Sequence, residues 1–114
     1  MIEITVRNYL LGKNLSVGTD IYLETPETLP DEYLLIEKTG SGKTNQISQA
    51  MIVIKSISSK SLYRSMSINE EVKEAMEGII YAEDIFACEL NSDYNFTNTT
   101  TKEYRYQAVF NLRY

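Results

Sequence analysis

Few residues in this chain could do chemistry, and their spacing does not help them. Histidine is absent. That removes the commonest general base near neutral pH, the commonest metal ligand, and the Ser-His and Cys-His nucleophile pairs. The single cysteine, Cys88, falls inside an apolar stretch with no base placed to lower its pKa, and reads as a buried thiol. Glu70 and Glu74 stand four apart, as paired carboxylates for a metal or for acid-base work would. No third ligand accompanies them, and together with Glu71, Glu77 and Lys73 they make a solvated helix face. Gly40-Ser41-Gly42-Lys43-Thr44 ends like a phosphate loop. The full motif needs another glycine five positions before Gly42, and Glu37 stands there. A strand-like segment follows, not a helix whose N-terminus could face a phosphate. Residues 39–46 therefore read as a flexible loop between strands, with glycines for positive backbone angles. Tyr104-Arg105-Tyr106 could stack on single-stranded bases, but Tyr104 and Tyr106 share the face of Phe110 and Leu112 and belong to a core. Enzymatic function, metals and cofactors are not indicated.

The elements that position these residues are led by the C-terminal stretch. Tyr104, Tyr106, Ala108, Phe110, Leu112 and Tyr114 alternate on one face, with Arg105, Gln107, Asn111 and Arg113 on the other. Period two predicts a long half-buried strand. Cys88–Phe96 is its expected partner, and the Asn/Thr run between them is a loop. A lone hairpin is marginal in water, so the rest of the chain must cover its aromatic face. Upstream, 3–14 carries a broad apolar helical face, although β-branched Ile2, Ile4, Thr5 and Val6 also permit a strand. Gly12 or Asn14 would stop the helix. Ile21–Leu23 and Tyr33–Lys38 read as strands, with a turn between Pro26 and Pro30. Residues 48–58 form a long strand covered on both faces at its centre, one by a helix and one by a neighbouring subunit. Leu62, Met66, Asn69, Val72, Met76 and Ile79 fall on one helical stripe. Ser67 and Glu70 match a capping box, which splits a short turn at 60–66 from a main helix ending at Gly78. Residues 81–84 are a connection.

The sum is an α+β fold: a mostly antiparallel sheet of four or five strands with two helices packed on one face. With 114 residues, residues 1–114 form a single domain. The net charge of −5 argues against nonspecific nucleic-acid binding. Nine tyrosines without a tryptophan suit strands and partly wet interfaces. No signal peptide or membrane span is expected, so the Asn-X-Ser/Thr triplets at Asn14, Asn95 and Asn98 carry no glycans.

Three segments together carry a resemblance: Tyr22-Leu23-Glu24-Thr25-Pro26 with Pro30-Asp31-Glu32-Tyr33; Glu37-Lys38-Thr39-Gly40-Ser41-Gly42; and Leu90-Asn91-Ser92-Asp93-Tyr94-Asn95-Phe96-Thr97 leading into Thr101–Phe110. The chain resembles the small head-tail joining or tail-completion proteins (tail terminators) of long-tailed phages and prophages of Gram-positive bacteria. The resemblance implies a homo-oligomeric ring, typically a hexamer, that caps the tail tube and helps join tail to head. It implies no enzyme activity and no cofactor. The partners it implies are other copies of the chain, the tail tube protein and the head-tail connector, with DNA only as passing cargo and no membrane or small-molecule substrate. The implied location is the virion, at the head-tail interface, after assembly in the host cytoplasm. Candidate interface residues are Gly40, Ser41, Gly42 and Lys43; Asn91, Asp93, Tyr94, Asn95 and Phe96; and Lys102, Arg105 and Arg113. The alternative is a small binding or regulatory module from a mobile element, with Arg105, Arg113 and the tyrosines meeting nucleic acid.

Overall fold

The computed structural model describes residues 1–82 and 84–114. Eight elements follow in order: α1 (Ile2–Leu11), β1 (Ile21–Tyr22), β2 (Glu32–Thr44), β3 (Ile47–Ser58), α2 (Leu62–Met76), α3 (Ile79–Ala82), β4 (Ala87–Asn95) and β5 (Tyr104–Arg113). The five strands form one sheet in the order β1-β2-β3-β5-β4. All pairings are antiparallel except β1 with β2, where Ile21 and Tyr22 run parallel to Leu34 and Leu35. The fold is therefore α+β with a mostly antiparallel sheet, and among the described residues it has three helices where two were expected. The parallel contact is only a two-residue bridge, which a short link can supply because no full crossover is being made.

Period two in β5 has the expected consequence only in its second half, since Tyr104 and Tyr106, expected in the core, lie half-buried at the open end of α2. Ala108, Phe110 and Leu112 are buried in the main core with Tyr114 packed against it. Its alternate residue Ile52 in β3 faces the same way, opposite Phe110. α1 contributes Ile2, Val6, Tyr9 and Leu10 to this core, and α2 contributes Ile68, Val72 and Met76. Both main helices thus lie on one face. Tyr114 finishes the sheet by exchanging backbone hydrogen bonds with Ser48, both at 2.8 Å.

The helices depart from expectation in instructive ways. α1 ends at Leu11, and Gly12 caps it in the right-handed region, while Asn14 takes the left-handed conformation at φ 54°. α2 is one continuous helix. Its cap is Ser61, whose hydroxyl accepts from the Arg64 amide at 3.1 Å, so the Ser67–Glu70 capping box is not used. Its buried stripe is Ser65, Ile68, Asn69, Val72 and Met76. Leu62 is only half-buried, and Met66 is exposed. Ser65 can replace them inside because its hydroxyl donates to the Leu62 carbonyl at 3.0 Å, satisfying it within its own helix. α2 ends at Met76, and Gly78 serves a different need from stopping it. A Cβ there would stand 2.9 Å from the Tyr9 hydroxyl, which donates to the Ala75 carbonyl at 2.6 Å and ties α1 to α2. The connection expected at 81–84 is partly helical, since α3 includes Tyr81 and Ala82; Glu83 lies outside the described residues.

The segment 39–46 is not a flexible loop. Gly40 to Thr44 pair in register with Met51 to Ile47, after an irregularity at Thr39. Gly40 and Gly42 do not take positive φ; the turn is made by Asn45 and Gln46 at φ 51° and 66°. Two successive left-handed residues between paired strands are the geometry of a tight hairpin turn matching strand twist. The ladder to β3 overrides the loop-like composition.

Candidate assembly surface

Three features are left over once the core is built: two open strand edges and the helix-free face of the sheet. β4 is the last strand on one side. On the other side, β1 covers β2 only at Leu34 and Leu35. The rest of β2, from Ile36 to Thr44, has no outer neighbour among the described residues. Strand edges of this kind present unpaired amides and carbonyls to whatever comes near.

The helix-free face is closed by its own side chains. Tyr33, Leu35 and Ile57 form a second buried cluster with Tyr22 packed against it, and Tyr22 meets Tyr33 edge-on at 6.1 Å. Lys55 bridges to Glu37 at 3.1 Å. The Gln107 amide donates to the Tyr94 hydroxyl at 2.7 Å. Val53 is 4% exposed and Val109 8%. The centre of β3 is therefore covered on both faces within one chain, and the expected neighbouring subunit is not needed there. Farther along, the row Gly40, Met51, Asn111, Glu89 borders a groove of about 630 Å³ that also reaches Arg113. The two glycines leave its rim bare: a Cβ on Gly40 would meet nothing within 4 Å.

The candidate interface residues separate into two groups. Gly40, Ser41, Gly42 and Lys43 lie exposed on the uncovered part of β2. Asn91, Tyr94 and Asn95 lie exposed on β4, with Phe96 just beyond it. Arg113 is exposed at the end of β5 beside the groove. Lys102 is exposed in the β4–β5 connection in the left-handed conformation, φ 55°. Two others are occupied within the chain. Asp93 accepts from Lys73 Nζ at 3.0 Å and from Asn69 at 2.9 Å, pinning β4 to α2. Arg105 lies 4.8 Å from the Phe96 ring centre and donates to the Phe96 carbonyl at 3.1 Å. An arginine spent on its own hairpin is poorly placed to stack on a base, which weakens the nucleic-acid alternative. The polar connection is shorter than 91–102, because β4 runs through Asn95. It is ordered by the Asn95 side chain accepting from the Thr97 amide at 2.9 Å and the Asn98 side chain accepting from the Thr100 amide at 3.1 Å.

The sequence reading missed what holds the edges in place. Arg64 grips Glu32 with two bonds, at 2.8 and 3.0 Å, and Ser58 donates to the same carboxylate at 3.1 Å. The Arg64 guanidinium holds the Glu32 carboxyl below its usual range, against the opposing effect of burial. Lys73 is held above the ordinary lysine value by Glu70 first and Asp93 second. Spacing alone gave no signal for Glu32–Arg64 or Lys73–Asp93, which only the fold brings together.

Among the described residues no cluster of three or more metal-ligating side chains occurs. Glu70 pairs with Lys73 at 2.9 Å, and Glu71 binds Ser16. Cys88 is half-buried rather than fully buried, and burial pushes its thiol up to about 11. At neutral pH it is protonated and a poor nucleophile. No described helix is long and apolar enough to cross a membrane.

The sequence matches no known family and no curated protein. The fold has a solved counterpart. A chain from the "Virion of native gene transfer agent (GTA) particle" superposes with a TM-score of 0.74, covering 98% of this chain and 92% of that one, at 16% identity. At that identity the likeness establishes a shared fold over nearly the whole of both chains.

Proposed function

We propose that this chain is a structural component of a phage-like virion, and that it works at the junction of head and tail. In this reading it assembles with copies of itself into a ring, typically a hexamer, that caps the tail tube and meets the tube protein on one side and the connector on the other. The observation that carries the proposal is the near end-to-end fold likeness to a chain of a gene transfer agent virion. The resemblance to tail-completion proteins noted in the sequence points the same way. So does the sheet, which ends in open stretches of β2 on one side and β4 on the other. The net charge of −5 suits a lumen through which DNA passes without adhering. Function is structural, not enzymatic, in this proposal, and the protein resides in the virion after assembling in the host cytoplasm.

Localisation tests it. Particles produced from the genome that encodes the chain are purified and labelled with gold-conjugated antibody against the chain. Label should collect at one position, where tail meets head. Label spread along the tail shaft, or absent from purified particles, overturns the proposal.

A further inference from the structure

We propose that β4 of one copy pairs antiparallel with the uncovered stretch of β2, Ile36–Thr44, in the next copy, so that the sheet continues head-to-tail from chain to chain. This deepens the ring reading above and rests on it for the biological setting. The geometry comes from the edges themselves.

Length and direction match. β4 has nine residues, and Ile36–Thr44 is a stretch of the same length. Three successive antiparallel pairings, β2–β3, β3–β5 and β5–β4, leave β4 running opposite to β2. Setting a second copy beside the first in the same orientation therefore continues the antiparallel alternation.

The outward-facing amides can be assigned from the ladder. Ser48 exchanges hydrogen bonds with Tyr114, so its neighbour Gln49 faces β2, where it pairs with Gly42. Alternation then turns the amides of Ser41 and Lys43 outward. On the other edge, the Phe96 amide donates to the Arg105 carbonyl and Tyr94 pairs with Gln107. The amides of Asp93 and Asn95 thus point away from the sheet. Both edges lack proline, the residue that most directly blunts an edge.

Charge disfavours pairing one β2 edge with another. The β2 stretch carries Lys38 and Lys43, and its one carboxylate, Glu37, is bound to Lys55. β4 carries no base; its Asp93 is held by Lys73, and its Glu89 lies opposite Asn111 on the helix-free face. Two β2 edges would bring Lys38 and Lys43 together on the helix side, where they pair with Ile52 and Ser48 of β3, whereas β2 against β4 sets no like charges together there. Such a contact is heterologous, and it closes into a ring when the rotation per copy allows.

The test uses two proline variants of the full chain, Ser41→Pro and Asn95→Pro, each removing one outward amide. Each should weaken self-association by at least about tenfold and run as a monomer by native mass spectrometry. Mixed, they should form a 1:1 dimer and nothing larger, because each keeps the edge that the other lost. A variant that still forms the wild-type oligomer, or that associates with itself but not with the other, overturns the edge contact. Far-UV circular dichroism checks that each variant is folded. If one is not, amide hydrogen exchange on the unmodified chain decides. Protection at Ser41, Lys43, Asp93 and Asn95 that rises with concentration supports the contact; protection unchanged there overturns it. An unmodified chain that stays monomeric at every concentration also overturns it, and the virion reading then depends on the gold label alone.

Discussion

The two faces of the sheet are both closed to water at their centres, but by different means. On one face, α1 and α2 lay apolar side chains across Leu34, Ile36, Ile52, Ile54, Ala108, Phe110 and Leu112. On the other, Tyr33, Leu35 and Ile57 are covered from within the sheet by long amphipathic neighbours such as Tyr22, with Lys55–Glu37 and Gln107–Tyr94 contacts nearby. Long polar side chains can shield apolar surface while keeping their polar ends wet. The difference teaches where the fold is held and where it is available. The helix side fixes the domain. The opposite face is mixed, with Ile47 and Met51 partly exposed on it, and its open features lie at the β2 and β4 edges and in the groove by Gly40.

The sharpest break of this comparison is a pair of adjacent truncations in β5. Phe110→Ala removes a ring that is 2% exposed under the helices, and should cost about 4 kcal/mol in denaturant unfolding. Val109→Ala, one residue earlier and on the other face, should cost about 1 kcal/mol. Equal costs would mean that the helix-free face is as much a core as the helix side.

Next in size is the clamp between α2 and β2. Glu32 is mostly buried, its side chain 11% exposed, and Arg64→Ala leaves it only Ser58. The loss should be about 2 kcal/mol at neutral pH. Its pH dependence has a definite sign. Arg64 depresses the Glu32 pKa, so the stabilisation is fully present above the ordinary carboxylate range and disappears as pH falls through the depressed folded value. Below that range wild type and Arg64→Ala should converge in stability. A gap that persists in acid would assign Arg64 a packing role instead.

Smaller effects refine the picture. Gly78→Ala should cost about 1–2 kcal/mol, because its Cβ displaces the Tyr9 hydroxyl from Ala75. A Tyr9→Phe, Gly78→Ala double variant should cost less than the sum, since the displaced hydroxyl is already gone. Gln46→Gly should stabilise by about 1 kcal/mol, relieving a left-handed glutamine at φ 66°. It should leave assembly unchanged, because the turn lies past the paired stretch of β2.

Much of the fold was legible because periodicity is local. β5, the two main helices and the β4–β5 hairpin follow from spacing alone. Thr39–Thr44 was not, since two glycines, a serine and a lysine look like a loop until Ile47–Met51 supplies a partner strand. The α2 stripe was read from the largest apolar residues, and Ser65 displaced Met66 by satisfying its own hydroxyl. The candidate surface was half legible. Gly40–Lys43 and Asn91–Asn95 stood out as polar and exposed, but strand order is a long-range property. That these two stretches are the open edges of one sheet, and that Asp93 and Arg105 are already engaged, appears only when the strands are placed.

The central claim is that this domain ends a tail and joins it to a head. Electron microscopy of particles assembled without the chain tests it most directly. Tails should then lose length control or closed ends and remain unattached to filled heads. Tails of normal length with capped ends, joined to heads, would contradict the account.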